Sequence, residues 1–136
     1  MTPFETVRAL VTEHIRAFHA ASYSSLKVDY PNHYLVDPET DTEFAKVEIS
    51  ITSDLMDLSA RRAFRISGTL YSTYYKRKGS ASLKGFLAYT DLLLTYLGIQ
   101  TIGGVTYKEV KPYTSNGLPG FDGIMNVVEF HFNYIA

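Results

Sequence analysis

The chain has 136 residues, of which 46% are hydrophobic and 20% are charged, a length and composition typical of one packed globular domain and not of a disordered chain. Thirteen Lys and Arg against fourteen Asp and Glu leave a net charge of −1, which argues against bulk attraction to nucleic acid or to an anionic membrane. The absence of cysteine excludes disulfides and thiolate metal sites, and without a membrane-spanning apolar run or a secretory signal we expect one soluble domain over residues 1–136, made in a cytoplasm.

The first segment, residues 2–22, has the pattern of an amphipathic helix. Thr2 and Glu5 match a capping box, and Pro3 occupies the first helical position. Apolar residues then recur at steps of three and four, which predicts one buried stripe: Phe4, Val7, Val11, Ile15 and Phe18.

Alternation of apolar and polar residues predicts strands in the following part of the chain. Residues 26–30 alternate up to Pro31, and residues 46–51 alternate again after an acidic turn at 37–42. Residues 53–60 have no clear period, and we assign them to a connection.

Residues 64–75 predict a long strand with large side chains on both faces. The outward face is therefore expected to be covered, for example by another subunit. Gly68 occupies an inward position, which indicates that a neighbouring element approaches closely or that the strand has a bulge.

A second helix is predicted after the basic residues 76–78 and Gly79. Ser80 or Ser82 can cap its start, and Gly98 is predicted to be the left-handed residue at its end. Its apolar stripe consists of Leu83, Phe86, Leu87, Leu93, Leu94 and Leu97.

The last third of the sequence returns to strands. A turn at Gly103-Gly104 starts a strand at Val105, residues 114–123 predict a long turn-rich loop, and residues 128–134 alternate as a final strand. The order of these elements predicts an α+β fold, a mostly antiparallel sheet with two helices packed on it.

Glu129 and His131 are the best candidates for metal ligands, because they share one strand face. A third ligand is missing from that strand, and His33 would have to come from elsewhere in the fold. An exposed polar strand face explains the pair better, so no metal site is predicted.

Enzyme motifs are weak. Glu109-Val110-Lys111 resembles the end of a metal-dependent nuclease signature, but the candidate upstream carboxylate, Asp91, is predicted on a helix, whereas that chemistry uses an acid at a strand end. Gly79-Ser80 lacks the Lys-Ser/Thr pair of a nucleotide-binding loop, and no nucleophile elbow is present. We predict a protein that is not an enzyme and has no cofactor; the alternative is a small nuclease or a ligand-binding domain that uses the 114–123 loop.

Charge is distributed unevenly along the chain. Residues 1–60 carry a net charge of −6 and residues 61–136 a net charge of +5. This pattern indicates either two solvated loops that never meet or an acidic side that fits the basic side of a neighbouring copy. The candidate interface residues are Asp37, Glu39, Asp41, Glu43, Arg61, Arg62, Arg65, Tyr75, Lys76, Arg77 and Lys78.

The order and spacing of several of these features resemble the tail-terminator proteins of long-tailed bacteriophages and related phage domains of unknown function. The similarity covers nearly the whole chain. It rests on the N-terminal helix, the short strand that stops at Pro31, the strands 44–51 and 62–70, the helix opened by Gly79, and the terminal strand Val128–Tyr134.

The resemblance implies a structural protein of the virion tail, assembled in the host cytoplasm. Such a protein forms a homohexameric ring on the finished tail tube, stops tube growth and presents a surface to the head-completion protein, while genomic DNA passes through the ring without sequence-specific binding. A different head–tail connector or a tail-tube protein is the closest alternative. Head-to-tail rings need two complementary patches on each subunit, which the two charged groups can supply. The Lys76–Lys78 segment is expected to lie either at a subunit interface or along the channel.

Overall fold

The computed structural model of the protein describes residues 2–59, 63–79 and 83–135. Its helices are α1 (Pro3–Ser22) and α2 (Leu83–Leu97). Its strands are β1 (Lys27–Asp29), β2 (Glu43–Ser59), β3 (Ala63–Arg77), β4 (Gln100–Ile102), β5 (Val105–Ser115) and β6 (Phe121–Ile135). The predicted caps Ser80 and Ser82 and the interface candidates Arg61 and Arg62 lie outside the described residues.

The strands form one six-stranded sheet in the order β1-β2-β3-β6-β5-β4. Only β1 and β2, among the described strands, pair in parallel; the other neighbours are antiparallel. Both helices contribute to one buried cluster with the sheet. The predicted α+β fold, a mostly antiparallel sheet carrying two helices, is therefore confirmed.

Helix α1 begins as the sequence predicts. The Thr2 hydroxyl accepts the Glu5 N–H at 3.2 Å, and the Glu5 carboxylate accepts the Thr2 N–H at 2.8 Å, so two N–H groups at the start of the helix are satisfied reciprocally. The apolar stripe is buried except at its first residue, since Phe4 is exposed. The fully buried residues Val7, Val11, Ile15 and Phe18 fasten α1 to the sheet.

Gly68 marks a close approach, as expected from its inward position in β3. A Cβ atom there would lie 2.5 Å from Phe130 Cζ and 2.5 Å from the Ser50 carbonyl oxygen. Three strands thus converge on a position where a side chain does not fit. The neighbouring inward residues Ile66 and Leu70 are fully buried.

The connection predicted at residues 53–60 is wrong, because β2 continues to Ser59 and pairs with β3. The ladder changes register between Thr52 and Met56 and again between Asp57 and Ser59. Such bulges place an unmatched residue in one strand and break the period of two. The sequence therefore shows no alternation where the backbone is nonetheless extended.

The long loop predicted at 114–123 is also wrong: β5 extends to Ser115 and β6 begins at Phe121, which leaves only residues 116–120 between them. Gly123, which suggested a turn, lies in β6 against the ring of Tyr75; a Cβ atom there would be 2.7 Å from Tyr75 Cδ1. The glycine makes room for an aromatic ring and does not end the strand.

The end of α2 differs in detail from the prediction. The left-handed residue is Ile99, with φ of 56°, and not Gly98. At Gly98 a Cβ atom would lie 2.6 Å from Leu94 Cδ1, the end of a side chain that can shift. The Ile99 N–H donates to the Lys108 carbonyl at 3.1 Å, and the short strand β4, which the sequence did not predict, follows directly.

Candidate interface surfaces and polar sites

The acidic segment (Asp37, Glu39, Asp41 and Glu43) connects β1 to β2 and lies beside the basic segment Lys76–Lys78. Glu43 is paired with Lys76 in the β2–β3 ladder, and the Arg77 N–H donates to the Thr42 carbonyl at 3.0 Å. The two segments of opposite charge therefore meet within one subunit, at one end of the sheet.

Contacts in this cluster hold the acidic segment in place. Lys27 Nζ lies 3.1 Å from an Asp41 carboxylate oxygen, and Arg77 Nη2 donates to the Pro38 and Asp41 carbonyls, each at 3.4 Å. The pKa of Asp41 is lowered, first by the N–H of Asp37 that its carboxylate accepts and then by Lys27. Asp37, Glu39 and Glu43 remain exposed.

Arg65 lies at the opposite end of the β2–β3 ladder. Its Nε donates to Asn133 Oδ1 at 3.2 Å, and its side chain is half-buried. It is separated from Lys76 along β3 by about 36 Å at ~3.3 Å per residue. The structure therefore brings the acidic segment together with Lys76–Lys78 and separates it from Arg65.

The tyrosines of β3 divide between the two faces of the sheet. Tyr75 is half-buried on the helix-free face, where its ring lies 5.4 Å from that of Phe44. Phe44 in turn contacts Phe121 at 4.9 Å, and the Arg77 guanidinium lies 5.1 Å from the Phe121 ring. Tyr74, on the opposite face, is only 3% exposed and belongs to the core.

Tyr74 also connects the core to the acidic segment. Its hydroxyl donates to the carboxylate of Glu43, and its ring packs edge-on against Tyr89 at 4.9 Å. Burial, and then the hydrogen bond to Glu43, raise the pKa of Tyr74.

The face of the sheet opposite the helices carries a half-exposed row in its centre. Tyr71 of β3 is opposite Val127 of β6, and Met125 is opposite Tyr113 of β5. The first three of these side chains are half-buried, and Tyr113 is 51% exposed. The expectation that another subunit covers this face remains a prediction.

A histidine network that the sequence did not predict joins both helices, β3 and the residue that follows β1 in the core. His19 of α1 places Nδ1 3.0 Å from the Tyr30 hydroxyl and Nε2 2.8 Å from the Tyr89 hydroxyl of α2. The Tyr89 hydroxyl lies 2.6 Å from the Ser72 hydroxyl of β3. Burial lowers the pKa of His19 to about 4. The neutral ring donates through one nitrogen and accepts through the other. The sequence does contain one indication that His19 is buried, because it lies four residues after the stripe residue Ile15 and therefore on the same face of α1.

Asp29 is a second buried polar group that alternation assigned to the solvent side. Its Oδ1 accepts the N–H groups of Leu35 at 2.6 Å and Val36 at 2.8 Å, and the residue is 7% exposed. These bonds close the excursion after β1, in which Asn32 has a left-handed φ of 62°. Asp29 thus orders a loop that displays Tyr34 and Leu35 to solvent.

The residues considered for metal and nuclease chemistry are spread over the fold. Glu129 and His131 lie on β6, whereas His33 pairs with Tyr30 beyond β1. Glu109 forms an exposed ion pair with Lys111 at 3.6 Å. Within the described ranges, no group of three or more His, Asp or Glu side chains is placed to hold a metal ion.

Among the described helices, none is both long and apolar enough to cross a membrane. No family model matches the chain, and no curated protein matches it in sequence. A solved structure of another protein shares the fold, with a TM-score of 0.65 over 100% of this chain and 99% of that chain, at 13% sequence identity. At that identity the likeness concerns the fold and supplies no activity, ligand or partner.

Proposed function

We propose that this protein is a non-enzymatic, ring-forming assembly protein of the phage tail-terminator type. In this role copies of the chain associate head to tail into a ring, a hexamer as the resemblance implies, on the end of a tail tube. The ring stops addition of tube protein and presents a surface for the head-completion protein, with genomic DNA passing through its centre. The proposed family rests on the sequence resemblance to tail-terminator proteins, and the placement of charges supports head-to-tail association.

The observation that carries the proposal is the placement of three exposed carboxylates and of Arg65 at opposite ends of the β2–β3 ladder. Asp37, Glu39 and Glu43 are exposed at the end where Glu43 pairs with Lys76. Arg65, close in sequence to Arg61 and Arg62, is about 36 Å from Lys76 along β3 at ~3.3 Å per residue. A heterologous contact joins two different patches on neighbouring copies, and opposite charges at opposite ends suit that geometry.

The Lys76–Lys78 segment is a weaker candidate for pairing between copies. It already lies beside the acidic segment, with Arg77 donating to the Pro38 and Asp41 carbonyls. Reversal of Lys76, Arg77 and Lys78 to Glu would therefore repel the acidic segment within the same subunit, so a loss of assembly would not identify an interface. Arg61, Arg62 and Arg65 give a cleaner test.

The experiment that tests the function adds the purified protein to tail tubes assembled without a terminator. We expect rings at the tube ends by electron microscopy and an end to tube growth. A protein that remains solitary both alone and with tubes, and leaves tube length unchanged, would contradict the proposal.

A charge exchange tests the interface itself. Glu39→Lys alone and Arg61→Glu with Arg62→Glu are each expected to weaken assembly, and their combination is expected to restore part of it, because the reversed charges again face each other. Glu13→Lys on the exposed side of α1 is the matched control and should assemble normally. The oligomer fraction is measured by analytical ultracentrifugation; purely additive losses would argue against this pairing.

A further inference from the structure

A polar cavity opens on the helix-free face of the sheet, at the end that holds Arg65. It has a volume of about 340 Å³ and is lined by Arg65, Ser67 and Thr69 of β3, Lys108 of β5, and Glu129 and His131 of β6. Except for Arg65, these residues are absent from the interface set discussed above.

The cross-strand register aligns polar groups along the cavity. Ser67 is directly opposite His131, and His131 is opposite Thr106 on its other side. Thr69 is opposite Glu129 in the adjacent row. Hydroxyl and imidazole groups from adjacent strands therefore face the same opening, where each can donate a hydrogen bond.

Positive charge exceeds negative charge around this row. Arg65 donates its Nε to Asn133 Oδ1 at 3.2 Å, which orients the guanidinium and uses one of its donors. Lys108 Nζ lies 3.6 Å from Glu129 Oε2, with both side chains more than half exposed, at 62% and 56%. An ion pair so exposed is weak, and the lysine can turn toward another anion.

The two cations of the cavity, Arg65 and Lys108, affect the pKa of His131. Its pKa is lowered first by partial burial and then by the charges of Arg65 and Lys108. Glu129, the carboxylate that lines the same cavity, does not cancel this influence. An anion placed among the three basic groups would do so.

We propose that this cavity binds a phosphate group, held by Arg65 and Lys108, with His131 and the hydroxyls of Ser67 and Thr69 as further donors. The planar guanidinium presents paired N–H groups that match phosphate oxygens, while the ammonium acts as a mobile point charge. All of these groups belong to one subunit, so the site does not depend on ring formation.

The test titrates the full-length protein with inorganic phosphate and follows the imidazole resonances of His131 by NMR. We expect saturable shifts and a rise in the pKa of His131, because bound phosphate favours the imidazolium form. Sodium chloride at equal ionic strength is the reference. An identical response to chloride, or no response to phosphate, would overturn the proposal.

Variants separate a built site from general attraction. Arg65→Ala and Lys108→Ala are each expected to weaken phosphate binding about tenfold, since each removes a charged hydrogen-bond donor. Lys111→Ala removes the same charge from the same strand outside the cavity and should leave binding within a factor of about two, as expected for an exposed charge. Equal losses in all three variants would overturn the proposal, and circular dichroism checks that each variant is folded.

A second arm identifies the source of the phosphate. A short DNA duplex replaces inorganic phosphate in the same titration. Binding of both, with the same sensitivity to Arg65→Ala, would support recognition of a nucleic-acid backbone; binding of inorganic phosphate alone would support a free phosphate or phosphomonoester. A ring that assembles normally in the Lys108→Ala variant while phosphate binding falls would separate this site from the proposed function.

Discussion

At the scale of single residues, His19 is the most consequential side chain in the core. It lies between the hydroxyls of Tyr30 and Tyr89, and the Arg16 guanidinium lies 4.2 Å from the Tyr30 ring. Protonation of His19 would turn its accepting nitrogen into a donor and bury a charge. The network is therefore complete only while the imidazole is neutral.

This requirement predicts that the free energy of unfolding decreases as the pH is lowered from about 6.5 to about 4. The pKa of His19 is about 4 in the folded protein, below the usual 6.5, so the unfolded chain binds more protons in that window. The contribution of His19 is fully present above pH 6.5 and decreases as pH falls, by about 3 kcal/mol in all. Urea unfolding at several pH values measures it.

Two variants isolate the contribution of His19. His19→Gln can still donate and accept but does not titrate, so its free energy of unfolding should depend less steeply on pH than that of the natural protein. His33→Gln, which replaces an exposed histidine outside the network, is the matched control for the loss of one histidine. A parallel slope for His19→Gln would contradict the role assigned to the network.

At the scale of elements, the centre of the sheet depends on the contact of β2, β3 and β6 at Gly68. The added methyl group in Gly68→Ala would meet the Ser50 carbonyl, which is backbone and cannot move aside as a side chain does. We expect a loss of about 2 kcal/mol or more in the free energy of unfolding, as is usual for overpacking. Gly117→Ala is the control, because a Cβ atom there meets nothing within 4 Å. Equal stability of the two variants would contradict the close approach.

The sequence predicted the elements whose period is unbroken and failed where packing or bulges override the period. The apolar stripe of α1 and the alternation of β3 each indicate the face of the element that is buried in the structure. The register shifts beyond Thr52 break the alternation that would have indicated the second half of β2. Gly123 suggested a turn, since its real role is to leave space for Tyr75, and that contact joins strands distant in sequence. The charged candidates were recognised, but their mutual placement depends on the pairing of β2 with β3, which spacing alone does not reveal.

At the scale of the whole molecule, the acidic and basic halves of the sequence occupy adjacent parts of one sheet. The acidic half contributes β2 and the basic half contributes β3, and the two strands are direct neighbours. At one end of the β2–β3 ladder the acidic segment meets Lys76–Lys78, and Arg65 lies at the other end.

Association through these ends should weaken with salt. Raising the ionic strength from about 0.1 M to about 1 M shortens the Debye length from ~10 Å to ~3 Å and screens exposed charges. Under the proposed function, we expect the fraction of rings in analytical ultracentrifugation to fall over this range. Rings that persist unchanged would indicate an apolar interface, for which the half-exposed row around Tyr71 is the candidate.

The placement of β6 between β3 and β5 has a consequence for biosynthesis. This strand is the last of the described strands to leave the ribosome, yet it fills the middle of the sheet, pairing Ala63 with Ile135 and Arg77 with Phe121. Until residues 121–135 emerge, the nascent polypeptide can form the β2–β3 hairpin and both helices. The strand that lies between β3 and β5 in the sheet is still missing. Completion of the sheet therefore waits for residues 121–135 and is governed by a contact between segments far apart in the chain.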